Sequence, residues 1–163
     1  MTLRIRDAAF DFSVPVSGNK NIKLSDLKGK FVVLYFYPKD DTPGCTIEAQ
    51  DFNKLKPEFE KLNAVIIGIS KDNLKSHDKF KEKYCLEFDL ASDADSDICE
   101  QYGVWIQKSM FGKKYMGIDR ATFLLDKDDD HTIMHIWRNV KVKGHAQEVL
   151  NVLIHGNNFM YGE

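Results

Sequence analysis

Cys45 stands where a cysteine can become a nucleophile. The segment Tyr35-Phe-Tyr-Pro-Lys-Asp-Asp-Thr-Pro-Gly-Cys45 runs from an apolar, aromatic stretch through a polar loop into a helical pattern. Pro43 suits a first helical position, because the N–H it lacks would have no partner there; Thr42 is then the N-cap and Cys45 the third helical residue. In a capping box that third position holds Glu, whose anion is stabilised by free backbone N–H groups and the positive end of the helix dipole. A sulfur in the carboxylate's place is favoured as thiolate for the same reasons, and the thiolate is the reactive form.

Local charge opposes this. Asp40, Asp41 and Glu48 surround Cys45 against Lys39 alone, and like charges disfavour an anion. A cation must come from elsewhere in the chain. Arg120 directly precedes the apolar strand Ala121–Leu125, which can run beside Phe31–Tyr37 and deliver the guanidinium to the same sheet edge; Arg138 is the second candidate. The competing reading makes Cys45 a small buried filler and Arg120 a surface ion-pair partner.

The elements around these residues follow from pattern. Residues 1–30 read as extended and turn-rich, with a turn at Ser17-Gly18-Asn19. Phe31–Tyr37 is apolar throughout, as expected of a strand buried on both faces. A helix is expected from Pro43, with Pro57 kinking or splitting it. Ala64–Ile69 reads as a second buried strand; Leu74, His77, Phe80 and Tyr84 mark a second helix, and Leu86, Phe88 and Leu90 alternate as a strand. Ser92-Asp93 offers a cap for a short helix through Cys99 to Tyr102, ended by Gly103. A Lys/Gly/Met-rich loop is expected up to Asp119, then strands Ala121–Asp126 and Thr132–Trp137 around an acidic turn. A last helix opens at Gly144, with Gly156 past its end. Strands alternating with helices argue one α/β domain over 1–163.

Length and composition agree with one domain: 163 residues, 43% hydrophobic and 29% charged. With 23 Lys+Arg against 25 Asp+Glu the net charge is −2, which offers nothing to a nucleic-acid backbone. The longest apolar run, Phe31–Tyr37, is far short of the roughly 20 residues that span a bilayer, so no membrane partner is expected. No secretory signal pattern opens the chain, and the default address is the cytoplasm. Cys45, Cys85 and Cys99 match no zinc or C-x-x-C spacing, which argues against a metal and against a disulfide framework. His131 and His135, read as four apart in one strand, would lie about 13 Å apart, too far to share an ion.

Pro38-x-x-x-Thr42-x-x-Cys45 resembles the peroxidatic motif of peroxiredoxins, and the surrounding Phe-Tyr-Pro-Lys-Asp-x-Thr-Pro-Gly-Cys-Thr-x-Glu is similar to the Q-type, or bacterioferritin comigratory protein, subgroup. Val65–Ser70, Tyr102-Gly-Val-Trp105, Phe111–Leu124 and Val140-Lys-Val-Lys-Gly-His145 extend the resemblance over nearly the whole chain. It implies a thioredoxin-like fold, a central mixed β-sheet flanked by helices on both faces, with no cofactor. It also implies reduction of hydrogen peroxide and alkyl hydroperoxides through a sulfenic acid on Cys45. Thr42 and Arg120 would orient the peroxide, and Pro38 would shield the pocket from water. Glu48 would either orient Arg120 or be a solvated helix residue. The reductant would be a thiol such as thioredoxin, glutaredoxin or glutathione, and the Q-type resemblance suggests a monomer.

The chain departs from the pattern at its other thiols. Gln50 occupies the position of one common resolving cysteine and Lys81 that of another, with Cys85 one turn further on. A one-cysteine cycle with an external thiol, Cys85 as resolver, and Cys99 or an intermolecular bridge all remain open. Two other functions are weighed: a thioredoxin-like thiol-disulfide oxidoreductase, against which stands the lack of a second cysteine in Thr42-Pro-Gly-Cys45, and a non-enzymatic binding module on the same fold.

Overall fold

The computed structural model describes residues 2–159. In chain order the elements are β1 (Ser13–Val16), β2 (Lys20–Lys23), a 3-10 turn (Leu24–Leu27), β3 (Phe31–Phe36), α1 (Pro43–Lys61), β4 (Ala64–Ser70), α2 (Leu74–Tyr84) and β5 (Asp89–Ser92). Then follow α3 (Ile98–Gln101), β6 (Trp105–Met110), β7 (Lys113–Ile118), β8 (Ala121–Leu125), β9 (Ile133–Trp137) and α4 (His145–Phe159). Seven strands form one mixed sheet in the order β2-β1-β5-β4-β3-β8-β9. This is the thioredoxin-like architecture expected above.

Every residue of β3 is buried, because the strand is central and both its faces are covered. Val32, Leu34 and Phe36 point into one apolar cluster with Ile98, Cys99 and Tyr102. Phe31, Val33, Tyr35 and then Tyr37 point into the other, with Cys45 and Phe52 of α1, Phe80 of α2 and Val149 of α4. The three long helices therefore share one face; α3 and the N-terminal segment cover the other. β4 and β5 lie parallel to β3 on one side, while β8 pairs antiparallel on the other. The chain order reverses at β3, the topological switch where α/β sheets build sites beyond their strand ends.

Five readings differ from the expectation. Pro57 lies inside α1 without splitting it: Phe52 and Phe59, both buried, hold the helix to the sheet on either side of the one missing N–H. The stretch 105–118 is not a loop but a two-stranded antiparallel hairpin with register from Trp105–Ile118 to Met110–Lys113. Its lysines and glycine hide the strand alternation. Gly156 is inside α4, where a Cβ would stand 2.6 Å from Met134 Cε, so it marks a close approach and not a helix end. Leu86 and Phe88 pack in the core ahead of β5, and His131 belongs to the turn before β9 with φ 46.

Candidate active site

Both polar ends of the site are placed by one register. Phe36 of β3 pairs with Ala121 of β8, which sets Arg120 opposite the exit of β3. The Arg120 carbonyl accepts from Val140 N at 2.9 Å, fixing its backbone. Arg120 Nη2 then donates to Cys45 Sγ at 3.4 Å and Nη1 to Glu48 Oε1 at 2.6 Å. Cys45 and Glu48 are each 1% exposed and stand one helical turn apart on the inner face of α1. The cation that the local charges demanded is thus Arg120. Arg138 is used elsewhere, donating to the Gly103 carbonyl and lying over the Phe123 ring.

Thr42 is the N-cap in position, with φ −98 and ψ 157, and its carbonyl accepts from Thr46 N. Its hydroxyl does not cap the helix; it donates to the Lys39 carbonyl at 2.8 Å, across the loop. Among the described residues no side chain caps the first turn of α1, so the positive helix end is left for the sulfur and whatever approaches it. Gly44 keeps the approach open: a Cβ there would lie 3.1 Å from Arg120 Nη2. Pro38 is exposed at the end of β3.

Glu48 is the ion-pair partner of Arg120 and not a solvated residue. Burial pushes its carboxyl up to about 7 in spite of the guanidinium, and its Oε2 has no hydrogen-bond partner. The two remaining thiols lie apart from the site. Cys99 is fully buried on the opposite face of the sheet, its thiol pushed far up by burial and by Asp93. Cys85 is exposed at the C-cap of α2 in a left-handed conformation, φ 54, and its carbonyl accepts from Asn53 of α1. All three cysteines are free thiols.

Sequence reasoning missed the anchor of the loop itself. Asp40, the buried residue of the 38–42 loop, accepts from Tyr37 Oη at 2.6 Å and Ser76 Oγ at 2.8 Å, and His77 Nδ1 lies 2.7 Å from its Oδ2. Its N–H donates to Asp72, which is held in turn by Ser70. His77, read only as a marker of the helix face, makes its second contact to the Ala91 carbonyl. Asp40, Asp72 and His77 bring ligand-type atoms within 4.8 Å of one another, but both Asp40 oxygens are engaged in these hydrogen bonds, which makes the cluster a loop clamp. A second buried histidine, His145, shares a 2.8 Å hydrogen bond with Thr122, and burial holds it down to about 4.

Residues 5–135 match the AhpC/TSA family. A putative peroxiredoxin Bcp of Coxiella burnetii is 49% identical over 153 residues, covering 94% of this chain and 100% of the relative. A peroxiredoxin Q structure from Xylella fastidiosa superimposes with a TM-score of 0.89 at 41% identity, covering 96% of this chain and 99% of that one. A structure of the Xanthomonas campestris bacterioferritin comigratory protein, described in terms of its alkyl peroxide reduction activity, gives a TM-score of 0.85 at 44% identity, covering 94% and 96%.

Proposed function

Because the chain belongs to the AhpC/TSA family, among the peroxiredoxins called Bcp or peroxiredoxin Q, and is a thiol-dependent peroxidase, we propose that Cys45 is its peroxidatic nucleophile and Arg120 the group that holds the peroxide. The observation that carries this is the single guanidinium bound at one end to Glu48 and at the other to the Cys45 sulfur. The Cys45 thiolate attacks one oxygen of R–O–O–H, the O–O bond breaks, a Cys45 S–OH forms, and the departing oxygen leaves as ROH after taking a proton. Negative charge grows on the departing oxygen, so donors aimed there lower the barrier more than donors aimed at the bound substrate. Arg120, the first-turn N–H groups of α1 and the Thr42 hydroxyl, once turned from Lys39, supply them. Glu48 fixes the fork of Arg120, and Pro38 screens the sulfur from water.

Turnover returns two electrons. One reductant thiol displaces water from the sulfenic acid to give a mixed disulfide, and a second thiol releases Cys45. An external thiol of the thioredoxin, glutaredoxin or glutathione type closes the cycle. Supporting this, Cys99 is walled off by the sheet, and Cys85 is tied by its backbone to Asn53, about 12 Å along α1 from Cys45 at 1.5 Å per residue. Hydrogen peroxide and alkyl hydroperoxides are the substrates. The three free thiols fit a reducing cytoplasm, and the enzyme acts as a monomer.

The test is intact mass spectrometry after stoichiometric peroxide, with a sulfenic-acid trap, on the native chain and on Cys45→Ser, Cys85→Ser and Cys99→Ser. Trapping in all but Cys45→Ser supports the assignment and the one-cysteine cycle. A disulfide mass that vanishes in Cys45→Ser and Cys85→Ser but persists in Cys99→Ser assigns the second thiol to Cys85. Insulin reduction with no peroxide turnover favours the oxidoreductase reading.

A further inference from the structure

β6 and β7 form a ribbon of their own, outside the seven-stranded sheet. Its base is anchored by Ile118, which is buried, and by Trp105, which packs on the core. Its far end is unlike the rest of the surface. Phe111 in the turn is 99% exposed and Met110 beside it 56%; Tyr115 is exposed midway along the ribbon, and Met116 and Ile106 nearer its base. Scattered exposed apolar residues are ordinary; five on one projecting hairpin mark a docking element.

Charge selects the partner. Residues 104–118 contain Lys108, Lys113 and Lys114 and no acidic residue, in a chain whose net charge is −2. The register sets Met110 opposite Lys113 and Ser109 opposite Lys114, so two lysines flank the base of the Phe111-Gly112 turn, with Lys108 one step further in, opposite Tyr115. An apolar point with a cationic collar is complementary to a surface that is anionic outside and apolar just beneath. That layering belongs to a bilayer with acidic headgroups. Lysine stems also extend along apolar surface while the ammonium stays at the phosphates.

We propose that the β6–β7 hairpin is a peripheral membrane anchor, seating Met110 and Phe111 in the interface of an anionic bilayer while Lys108, Lys113 and Lys114 bind lipid phosphates. This revises the expectation of no membrane partner, which rested on the lack of a spanning segment. Among the described residues no helix is long and apolar enough to cross a membrane, and a peripheral anchor needs none. Ile118, at the base of the ribbon, stands two residues before Arg120, whereas the tip lies at the other end of the six paired positions, so the anchoring does not depend on the peroxidase reading.

Flotation of the full chain with vesicles tests it. The native protein is expected to float with phosphatidylcholine vesicles containing about a third phosphatidylglycerol and not with phosphatidylcholine alone, and high salt should weaken binding about tenfold or more. Met110→Ser with Phe111→Ser, and separately Lys113→Glu with Lys114→Glu, should each abolish flotation. Hydrogen peroxide turnover and the melting temperature should stay unchanged in both pairs, since these positions are exposed and outside the site. No flotation of the native protein at low salt overturns the proposal, as does flotation indifferent to both pairs. A solution dimer that Phe111→Ser dissolves also overturns it, by assigning the tip to a second copy of the chain.

Discussion

Glu48 holds Arg120 through a 2.6 Å hydrogen bond to Nη1, and this contact decides where the other arm of the guanidinium goes. With Nη1 held there, the planar fork turns Nη2 to Cys45 Sγ at 3.4 Å. The acidic residue that looked unfavourable beside a thiolate is thus the device that aims the compensating cation. Its charge is spent on Arg120 inside the core, where the pair is one unit.

Arg120→Lys keeps the charge but loses the fork: an ammonium cannot bridge Glu48 and the sulfur in the same geometry. Removing one donor from a developing oxyanion costs about 3 kcal/mol, so kcat/KM for peroxide should fall roughly a hundredfold. Stopped-flow oxidation of Cys45 measures it. A change under threefold would show that the fork is not used.

Glu48 also sets a pH dependence of stability. Burial raises its folded value to about 7 from an ordinary value of 4.5, so the folded state binds the proton more tightly than the unfolded chain. Its contribution is fully present below about 4.5 and is lost as pH rises through 7, by up to about 3 kcal/mol. Glu48→Gln should remove that slope. In urea titrations the stability of the variant relative to the native chain should climb between pH 4.5 and 8. His145, whose buried ring contributes the opposite slope between about 4 and 6.5, is common to both proteins and cancels in the difference. A flat difference would place the Glu48 proton elsewhere.

Gly44→Ala asks whether the approach of Arg120 to the first turn is needed. The added Cβ would sit 3.1 Å from Nη2, and with Nη1 tethered the guanidinium can yield only by leaving either Glu48 or Cys45. Because alanine is the better helix former, stability should hold or rise by up to about 1 kcal/mol while peroxide reactivity drops about tenfold or more. Activity and melting temperature moving in opposite directions are the expected signature.

Much of this arrangement was legible in the chain. β3, the start of α1 at Pro43 and the partnership of Arg120 with Cys45 follow from local signals: an unbroken apolar run, a helix-start proline, and a strand beginning one residue after an arginine. What could not be read has tertiary causes. Pro57 looks like a break until Phe52 and Phe59 are seen buried on either side of it. The 105–118 hairpin escaped because both its faces meet solvent, so no alternation of apolar and polar residues distinguishes one from the other. Asp40 and His77 are 37 positions apart, and nothing in either neighbourhood announces the other.

That last pair carries a prediction of its own. His77 Nε2 faces the Ala91 carbonyl, which can only accept, so this nitrogen carries a hydrogen; the 2.7 Å contact from Nδ1 to the Asp40 carboxyl requires a proton there as well. The two side chains are 0% and 3% exposed, so removing the ring strands a buried carboxylate with only the Tyr37 and Ser76 hydroxyls. His77→Ala should cost about 3–5 kcal/mol. Asp40→Asn should cost much less, because an amide can donate to the unprotonated Nδ1 of a neutral His77 and still accept from Tyr37. Urea denaturation decides, with Asp40→Asn also placed in the His77→Ala background: recovery of stability there assigns the hold to the paired carboxylate, and no recovery assigns it to packing.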